Sequence, residues 1–250
     1  MTMKVTALLP ARLESTRIKK KLLKEIKKIP IILHTLNRVK YCKEINEIIV
    51  CTDSREIKKK VEKNGFKVIL TKKNFSNGTE RISSIVDKIK SDLIIDVHAD
   101  EAILDPKNLT KLVNFHKKNM NFDIIVPHKK NSSSIDKNVV KVIFSQNNKV
   151  IYFSRAKAPY PFRSKGNFYH HLDIISFKPQ ALKKFKNFKK GLLEQIEGIE
   201  LLRAIENKLS IGTFEIDTKT FSINTQEDFK KAQKILSKDK LTKKYIGKIT

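Results

Sequence analysis

Short runs of β-branched and aliphatic residues alternate with amphipathic helical patterns along the first half of this chain. The predicted strands are residues 5–9, 47–51, 67–70, 92–97 and 122–127. The predicted helices between them are residues 31–40, 54–64, 79–89 and 106–119. Because short connections containing helices join successive strands, the pattern predicts an α/β fold with a doubly wound, mostly parallel sheet.

The pattern changes after Pro127. Two predicted strands, 139–144 and 149–153, flank a short polar turn and predict a β-hairpin. They are followed by a predicted strand over 169–177, an amphipathic helix over 193–208, a strand over 211–216 and a helix over 225–236. We find no internal repeat and no linker between independent units, and therefore expect a single domain ending in a peripheral, lysine-rich tail.

The net charge of +27 is the largest compositional bias, but its distribution argues against a nucleic-acid partner. The lysines are spread along nearly the whole chain, aromatic residues make up 8%, and there is no Trp for a stacking platform. A charge-driven nucleic-acid-binding module remains an alternative, with weak and salt-dependent binding. We expect nonspecific attraction to polyanions at most.

Cellular location is predicted from what the sequence lacks. No apolar run approaches the length needed to span a bilayer, and no secretory signal is evident. Cys42 and Cys51 are the only cysteines, too few for a structural zinc site without other ligands. We therefore expect a cytoplasmic protein with reduced thiols and no membrane insertion.

The loop after the first predicted strand concentrates groups that suit a triphosphate. The strand end and the loop together contribute Pro10, Ala11, Arg12, Ser15, Thr16, Arg17 and Lys21. Arginine forks and backbone amides bind phosphate oxygens, and ligands of open α/β sheets bind at the carboxyl ends of the strands. We predict phosphate binding here; a solvated basic loop is the alternative.

The loop after the fourth predicted strand carries His98 and Asp100. A carboxylate at a strand end beside a triphosphate is a suitable ligand for Mg²⁺, although Asp100 could instead cap a helix. If the extended geometry continues, Asp96, His98 and Asp100 share one face. No second His or Cys lies nearby at a metal-binding spacing, so we interpret His98 as a substrate contact.

Several segments together resemble one family. They are Pro10–Ala11–Arg12 with Ser15–Thr16–Arg17, Asn77 to Arg81, Val97 to Glu101, Val140–Lys141–Val142, Tyr152 to Pro159, His171–Leu172 and Ile223 to Asp228. They resemble the motifs of the 3-deoxy-manno-octulosonate (Kdo) cytidylyltransferases, also called CMP-Kdo synthetases. The match runs along almost the whole chain, and Tyr152 to Pro159 is its most diagnostic part.

The resemblance implies a nucleotide-diphospho-sugar transferase type of sheet with a small, hairpin-containing subdomain. Residues 1–127 would bind nucleotide, 128–210 would bind sugar and dimerise, 211–236 would return to the main sheet, and 237–250 would form a basic tail. The implied activity couples CTP to an acidic keto-sugar with Mg²⁺, in a cytoplasmic homodimer that supplies lipopolysaccharide or capsule synthesis.

The resemblance also implies roles for individual residues. Arg12, Lys21 and Asp100 would be catalytic, with Pro10, Ala11, Ser15 and Arg17 completing the nucleotide site. Asp100 and Asn224 would hold the metal. The sugar would contact Arg81, His98, Arg155, His171 and Glu200. On the residues alone, Arg81 could simply belong to a capped helix start, and His171 could be a buried core histidine.

Some positions depart from the family pattern. His98, Ala102, Asp173, Leu201 and Asn224 replace residues near the sugar or the metal, and Lys19 and Lys20 replace a proline and a glycine of the first loop. These departures leave open another sugar acid, of the 8-amino-Kdo or nonulosonate type, or a catalytically impaired relative. A glycosyltransferase-like α/β protein is a further alternative.

Overall fold

The computed structural model describes residues 3–14, 18–131, 136, 138–164 and 166–248. Its strands are β1 (Val5–Ala11), β2 (Glu25–Ile26), β3 (Ile29–Pro30), β4 (Glu47–Thr52), β5 (Lys67–Leu70), β6 (Leu93–Val97), β7 (Ile124–Asn131), β8 (Lys141–Phe144), β9 (Val150–Ser154), β10 (Phe168–His171), β11 (Ile174–Phe177) and β12 (Ile211–Glu215). Its α-helices are α1 (Ile31–Lys40), α2 (Arg55–Lys63), α3 (Gly78–Ser83), α4 (Pro106–Lys118), α5 (Pro179–Phe185), α6 (Leu192–Glu197), α7 (Leu201–Glu206), α8 (Gln226–Lys238) and α9 (Lys240–Tyr245).

The first half forms the predicted parallel sheet. Strands β5, β4, β1 and β6 lie side by side in that order, all parallel. Side chains alternate between the two faces of the sheet: Ala7 and Leu9 pack into one apolar cluster, and Leu8 packs into the other. Helices α1, α2, α4 and α8 cover one face, and α3, α5 and α7 cover the other. The predicted α/β architecture is therefore confirmed.

The second half adds antiparallel pairs to this sheet. β11 pairs antiparallel with β6, the hairpin β8–β9 pairs with β10, and β12 runs parallel to β7. The single strand predicted over 169–177 is interrupted. His171 lies opposite His128 and Ser176 opposite Ile125, so this strand advances five residues while β7 advances three. Leu172 and Asp173 therefore form a bulge between β10 and β11.

Two predicted helices are also interrupted. The helix predicted over 79–89 is α3 followed by a 3₁₀ turn, Val86–Lys88. The helix predicted over 193–208 is divided into α6 and α7, because Gly198 takes a left-handed conformation (φ 63°) that ends α6. Helical periodicity alone did not reveal this break, which places Gly198 and Glu200 beside the site described below.

The lysine-rich C-terminal segment is not a peripheral tail, and this prediction was wrong for the residues described. Helix α9 packs against α1, and Tyr245 is 2% exposed. Its hydroxyl lies 2.8 Å from Nδ1 of His34, whose pKa burial lowers to about 4. The segment buries one apolar face while its lysines face solvent. None of the helices among the described residues is long and apolar enough to cross a membrane.

Candidate active site

Two cavities meet at the carboxyl end of the parallel strands. The loop cavity, about 320 Å³, is lined mainly by the β1 loop and the segment before and within α3, including Pro10, Ala11, Arg12, Lys21, Asn77, Gly78 and Arg81. The bulge cavity, about 220 Å³, is lined by residues of the second half, including Asn138, Val140, Arg155, His171, Asp173 and Gly198. Four residues line both cavities: His98, Asp100, Glu200 and Asn224.

The two predicted metal ligands lie together at this junction. Lys21 Nζ forms an ion pair with Asp100 Oδ2 and lies 3.4 Å from Asn224 Oδ1. The backbone N–H of Ile223 donates to the Asp100 carbonyl at 3.3 Å, which fixes the returning segment beside the β6 loop. One cation, the Lys21 ammonium, therefore already contacts both oxygens.

This donor set fits Mg²⁺. A carboxylate and an amide oxygen are hard ligands, and Mg²⁺ commonly takes only one or two protein ligands when substrate phosphates supply others. Within the described residues, no group of three or more His, Cys, Asp or Glu side chains is arranged to hold a metal. Any ion bound at Asp100 and Asn224 would therefore depend on the nucleotide for further ligands.

The rest of the first loop is placed in part. Pro10 and Ala11 end β1, and the exposed Arg12 follows them at the wall of the loop cavity. Ser15 and Arg17, both predicted to bind nucleotide, lie outside the described residues together with Thr16. Lys20, where the family pattern has glycine, takes a left-handed conformation (φ 48°) that glycine adopts more readily.

Arg81 differs from the other predicted sugar contacts because it lines only the loop cavity. Its guanidinium donates to Thr71 Oγ1 at 2.5 Å and to the Lys72 carbonyl at 3.3 Å, and pairs with Asp53 at 3.3 Å. It is nearly buried at the wall of the loop cavity and does not line the bulge cavity. The structure thus groups Arg81 with the predicted nucleotide residues. The alternative of a capped helix start also holds, since Asn77 accepts from the Glu80 N–H at 2.8 Å.

Arg155 is fixed in the bulge cavity by the end of α6. Its Nε donates to the Glu197 carbonyl at 2.7 Å, and its backbone N–H donates to Glu197 Oε2 at 2.8 Å. Further contacts of 3.4 Å reach the carbonyls of Asn138 and Gly198. Several carbonyls thus orient the guanidinium at the cavity wall, where it can meet an anionic group.

The bulge brings a carboxylate between two histidines. Asp173 Oδ1 lies 3.7 Å from Nδ1 of His98 and 3.7 Å from Nδ1 of His171. Burial alone would lower the pKa of His98, yet nearby carboxylates, with Asp173 first, raise it to about 9. Burial lowers the pKa of His171. Burial opposes ionisation of Asp173, but the two imidazoles and a serine hydroxyl bring its pKa below the ordinary value.

That hydroxyl belongs to Ser222, which bridges two carboxyl groups. Ser222 Oγ contacts Asp173 Oδ2 and lies 2.5 Å from Glu101 Oε1. A hydroxyl has one proton to donate, so it cannot donate to both groups at once. Burial raises the pKa of Glu101 to about 8, so at neutral pH Glu101 can donate to Ser222 while Ser222 donates to Asp173.

Sequence reasoning missed Glu101, Glu197 and Ser222 as parts of the site. Glu101 follows Asp100 directly and Ser222 precedes Asn224 by two residues, so proximity to predicted ligands was the available signal. Glu197 offered no such signal, because its contacts with Ser154 and Arg155 span more than forty residues.

Comparisons with known proteins agree with this geometry. Residues 6–243 match the family model for cytidylyltransferases. A 3-deoxy-manno-octulosonate cytidylyltransferase of Nitratiruptor sp. is 35% identical over 232 residues, covering 90% of this chain and 96% of the relative. The enzyme of the same name from Thermodesulfovibrio yellowstonii is 36% identical over 249 residues, covering 92% of this chain and 96% of the relative.

A solved structure extends the likeness to three dimensions. CMP:2-keto-3-deoxy-manno-octonic acid synthetase, complexed with CTP, superposes with a TM-score of 0.89 at 25% identity. The alignment covers 94% of this chain and 98% of that one. The matching model, the curated relatives and this neighbour all lead to the same assignment: the chain belongs to the cytidylyltransferase family, as a member of its 3-deoxy-manno-octulosonate cytidylyltransferase group.

Proposed function

We propose that this protein couples CTP to Kdo, giving CMP-Kdo and pyrophosphate. The observation that carries the proposal is the pair of cavities that meet at Asp100. One has the basic loop expected of a triphosphate site, and the other presents a fixed guanidinium suited to a sugar acid. We place the reaction in the cytoplasm, where CTP is made.

The reaction joins the two substrates across the junction. The anomeric hydroxyl oxygen of the sugar attacks the α-phosphorus of CTP, and the bond from that phosphorus to the bridging oxygen breaks. Pyrophosphate leaves with the bond's electron pair, and the hydroxyl proton passes to solvent or a nearby base. Such transfers depend on positioning and on neutralising charge.

We assign the nucleotide side to the β1 loop. Arg12 and Lys21 would bind the triphosphate and stabilise the charge that develops on pyrophosphate, with Ser15 and Arg17 completing the loop. Asp100 and Asn224 would hold Mg²⁺, which when bound screens the phosphate charge and lowers the pKa of a coordinated hydroxyl. Lys21, which pairs with Asp100 in this structure, would bind phosphate oxygens.

On the sugar side, Arg155 would bind the carboxylate of the sugar acid. His98, His171 and Glu200 would contact its hydroxyl groups. Arg81, to which the family resemblance assigns a sugar contact, would instead stabilise the nucleotide side through its contacts with Thr71 and Asp53.

Pyrophosphate release from CTP tests this proposal. The assay would contain Mg²⁺ and, in turn, Kdo, 8-amino-8-deoxy-Kdo, a nonulosonate such as sialic acid, or no sugar. We expect turnover with Kdo and none without sugar. Turnover with the nonulosonate alone would keep the cytidylyltransferase chemistry but replace the substrate. Absence of turnover with every acid would contradict the proposal.

We also propose that the protein is a homodimer, formed through an exposed apolar surface beside the edge strand β9. The surface consists of Ile151, Tyr160, Phe162, Leu192 and Ile196, which are 56 to 84% exposed. Isolated exposed apolar residues are common, but several on adjoining elements are typical of an interface. Sedimentation of wild type and Ile196→Asp tests this: we expect a dimer and a monomer, respectively. A monomeric wild type would contradict the proposal.

A further inference from the structure

Asp173 lies in the bulge between β10 and β11, which places its side chain at the bulge cavity. Against β7, the strand containing β10 and β11 has two extra residues, Leu172 and Asp173. Bulges turn a side chain out of the regular alternation and occur often beside active sites. Leu172 is 7% exposed, whereas the Asp173 side chain is 34% exposed and lines both the bulge cavity and a wider adjoining groove.

The two carboxylate oxygens of Asp173 have different surroundings. Oδ2 accepts a hydrogen bond from Ser222, which fixes the orientation of the group. Oδ1 lies 3.7 Å from the nearest nitrogens of His98 and His171, beyond hydrogen-bonding distance. An ionised carboxylate offers about four acceptor positions. Among the residues that the structure describes, Oδ1 therefore retains acceptor capacity toward the cavity.

The charges of the cavity set how a sugar acid can lie in it. The guanidinium of Arg155, on the same cavity wall, attracts the carboxylate of the sugar. The carboxylate of Asp173 repels that group and accepts only from donors. The sugar acid can satisfy both side chains when its carboxylate faces Arg155 and a hydroxyl or amino group faces Asp173.

We propose that Asp173 is a specificity-determining residue, which accepts a charge-assisted hydrogen bond from a hydroxyl or ammonium group of the sugar acid. The inference rests on the proposed function. It assigns the sugar a required donor group, and it makes a sugar acid without that donor a poor substrate. Hydrogen bonds to charged groups are strong enough to change affinity about ten- to hundredfold.

The test pairs changes in the protein with changes in the substrate. Wild type, Asp173→Ala and Asp173→Asn would be assayed for pyrophosphate release with Kdo, its 4-, 5-, 7- and 8-deoxy analogues, and 8-amino-8-deoxy-Kdo. With the preferred sugar, we expect Asp173→Ala to raise KM about ten- to hundredfold, with kcat changing less than about threefold. Asp173→Asn, which keeps one acceptor oxygen, should lie between the two.

Combining the protein variants with the sugar analogues separates a direct contact of Asp173 with the sugar from a positioning role. With the analogue that lacks the contacted donor, the kcat/KM of wild type should fall by about the same factor as the Asp173→Ala change causes with the parent sugar. The kcat/KM of the alanine variant should not fall further with that analogue. If Asp173 only oriented the histidines, every analogue would show the same ratio of wild type to variant, and the proposal would be overturned. A wild-type preference for the amino sugar identifies the donor as ammonium; a preference for Kdo identifies a hydroxyl.

Controls keep folding and chemistry apart. The KM for CTP should be unchanged in both variants, and both should remain folded at the assay temperature. Glu227→Ala, which changes an exposed carboxylate of the adjoining groove, should match wild type with every sugar. Unchanged sugar selectivity in an active enzyme would refute the role of Asp173 and leave the proposed function intact. If wild type were inactive with every sugar, both the proposed function and the role of Asp173 would be contradicted.

Discussion

The loop cavity and the bulge cavity meet at the same four residues but are built in different ways. The loop cavity lies at the ends of parallel strands, where a short loop follows each strand. Short runs of consecutive residues contribute most of its wall. The bulge cavity gathers residues from separate segments: the turn after β9, the bulge, the break between α6 and α7, and the segment before α8. Motifs identified residues of both cavities, but the contacts that hold Arg155 and Asp173 in the bulge cavity connect distant segments and could not be read from the sequence.

The largest effect should come from the junction that both cavities share. We expect Asp100→Asn to reduce turnover at least about 1000-fold, because it removes the charged oxygen that contacts the cation position. Asp105→Asn is the matched control, since Asp105 caps α4 and asparagine caps equally well. Pyrophosphate release measures both. Substantial turnover by Asp100→Asn would mean that the substrates bound in the two cavities do not react beside this residue.

The next effect concerns Asp96, which lies on β6 where the parallel and antiparallel parts of the sheet join. Its two carboxylate oxygens have no hydrogen-bond partner among the described residues, and burial raises its pKa to about 7. The unfolded chain releases this proton near pH 4, while the folded protein holds it until about pH 7. The free energy of unfolding should therefore decrease as pH rises from about 4 to 7.

Asp96→Asn removes that ionisation. We expect the variant to gain about 1 to 3 kcal/mol in unfolding free energy at pH 8 relative to wild type, with little gain at pH 4. Urea unfolding at both pH values measures this. Asp87→Asn, at an exposed residue paired with Lys186 at 3.1 Å, should change stability by less than about 0.5 kcal/mol. An Asp96→Asn variant less stable than wild type at pH 8 would show that the ionised Asp96 carboxylate stabilises the folded sheet.

A smaller effect should be confined to the bulge cavity. Glu197 accepts from Ser154 Oγ and from the Arg155 N–H, both at 2.8 Å, and an amide cannot accept through both of its terminal atoms. We expect Glu197→Gln to raise the KM for the sugar about tenfold while the KM for CTP stays within about twofold. Glu206→Gln, outside both cavities, is the control. An equal rise in both KM values would mean that the two cavities are not independent.

The smallest effect should be confined to the loop cavity. A Cβ at Gly78 would lie 3.0 Å from Cγ of Pro10, so α3 and the end of β1 approach closely there. We expect Gly78→Ala to destabilise the protein by about 1 kcal/mol and to raise the KM for CTP, not that for the sugar. Gly166→Ala, whose added Cβ would have no atom within 4 Å among the described residues beyond its chain neighbours, should behave as wild type. A change in the KM for the sugar alone would mean that Gly78 supports the bulge cavity and not the loop cavity.

The sequence predicted the parallel sheet because its strands and helices have the expected periodicity. It predicted that Lys21 and Asp100 lie close together because each is in a loop that follows a parallel strand, whereas Asn224 was indicated by the family resemblance alone. It could not predict the bulge at Asp173, because the bulge is set by the register of β10 and β11 against β7. It missed the break at Gly198, since one glycine does not interrupt helical periodicity. The contacts of Glu197 and Ser222 depend on tertiary packing, which local patterns do not encode.

The contact between His34 and Tyr245 has a consequence for biosynthesis. His34 Nε2 donates to the Ile26 carbonyl at 2.9 Å, and its Nδ1 then accepts from the Tyr245 hydroxyl, so the last helix is tied to the segment that follows the basic loop. Some two hundred residues separate the partners. During translation the nucleotide side therefore lacks this support until α9 has been synthesised and has left the ribosome.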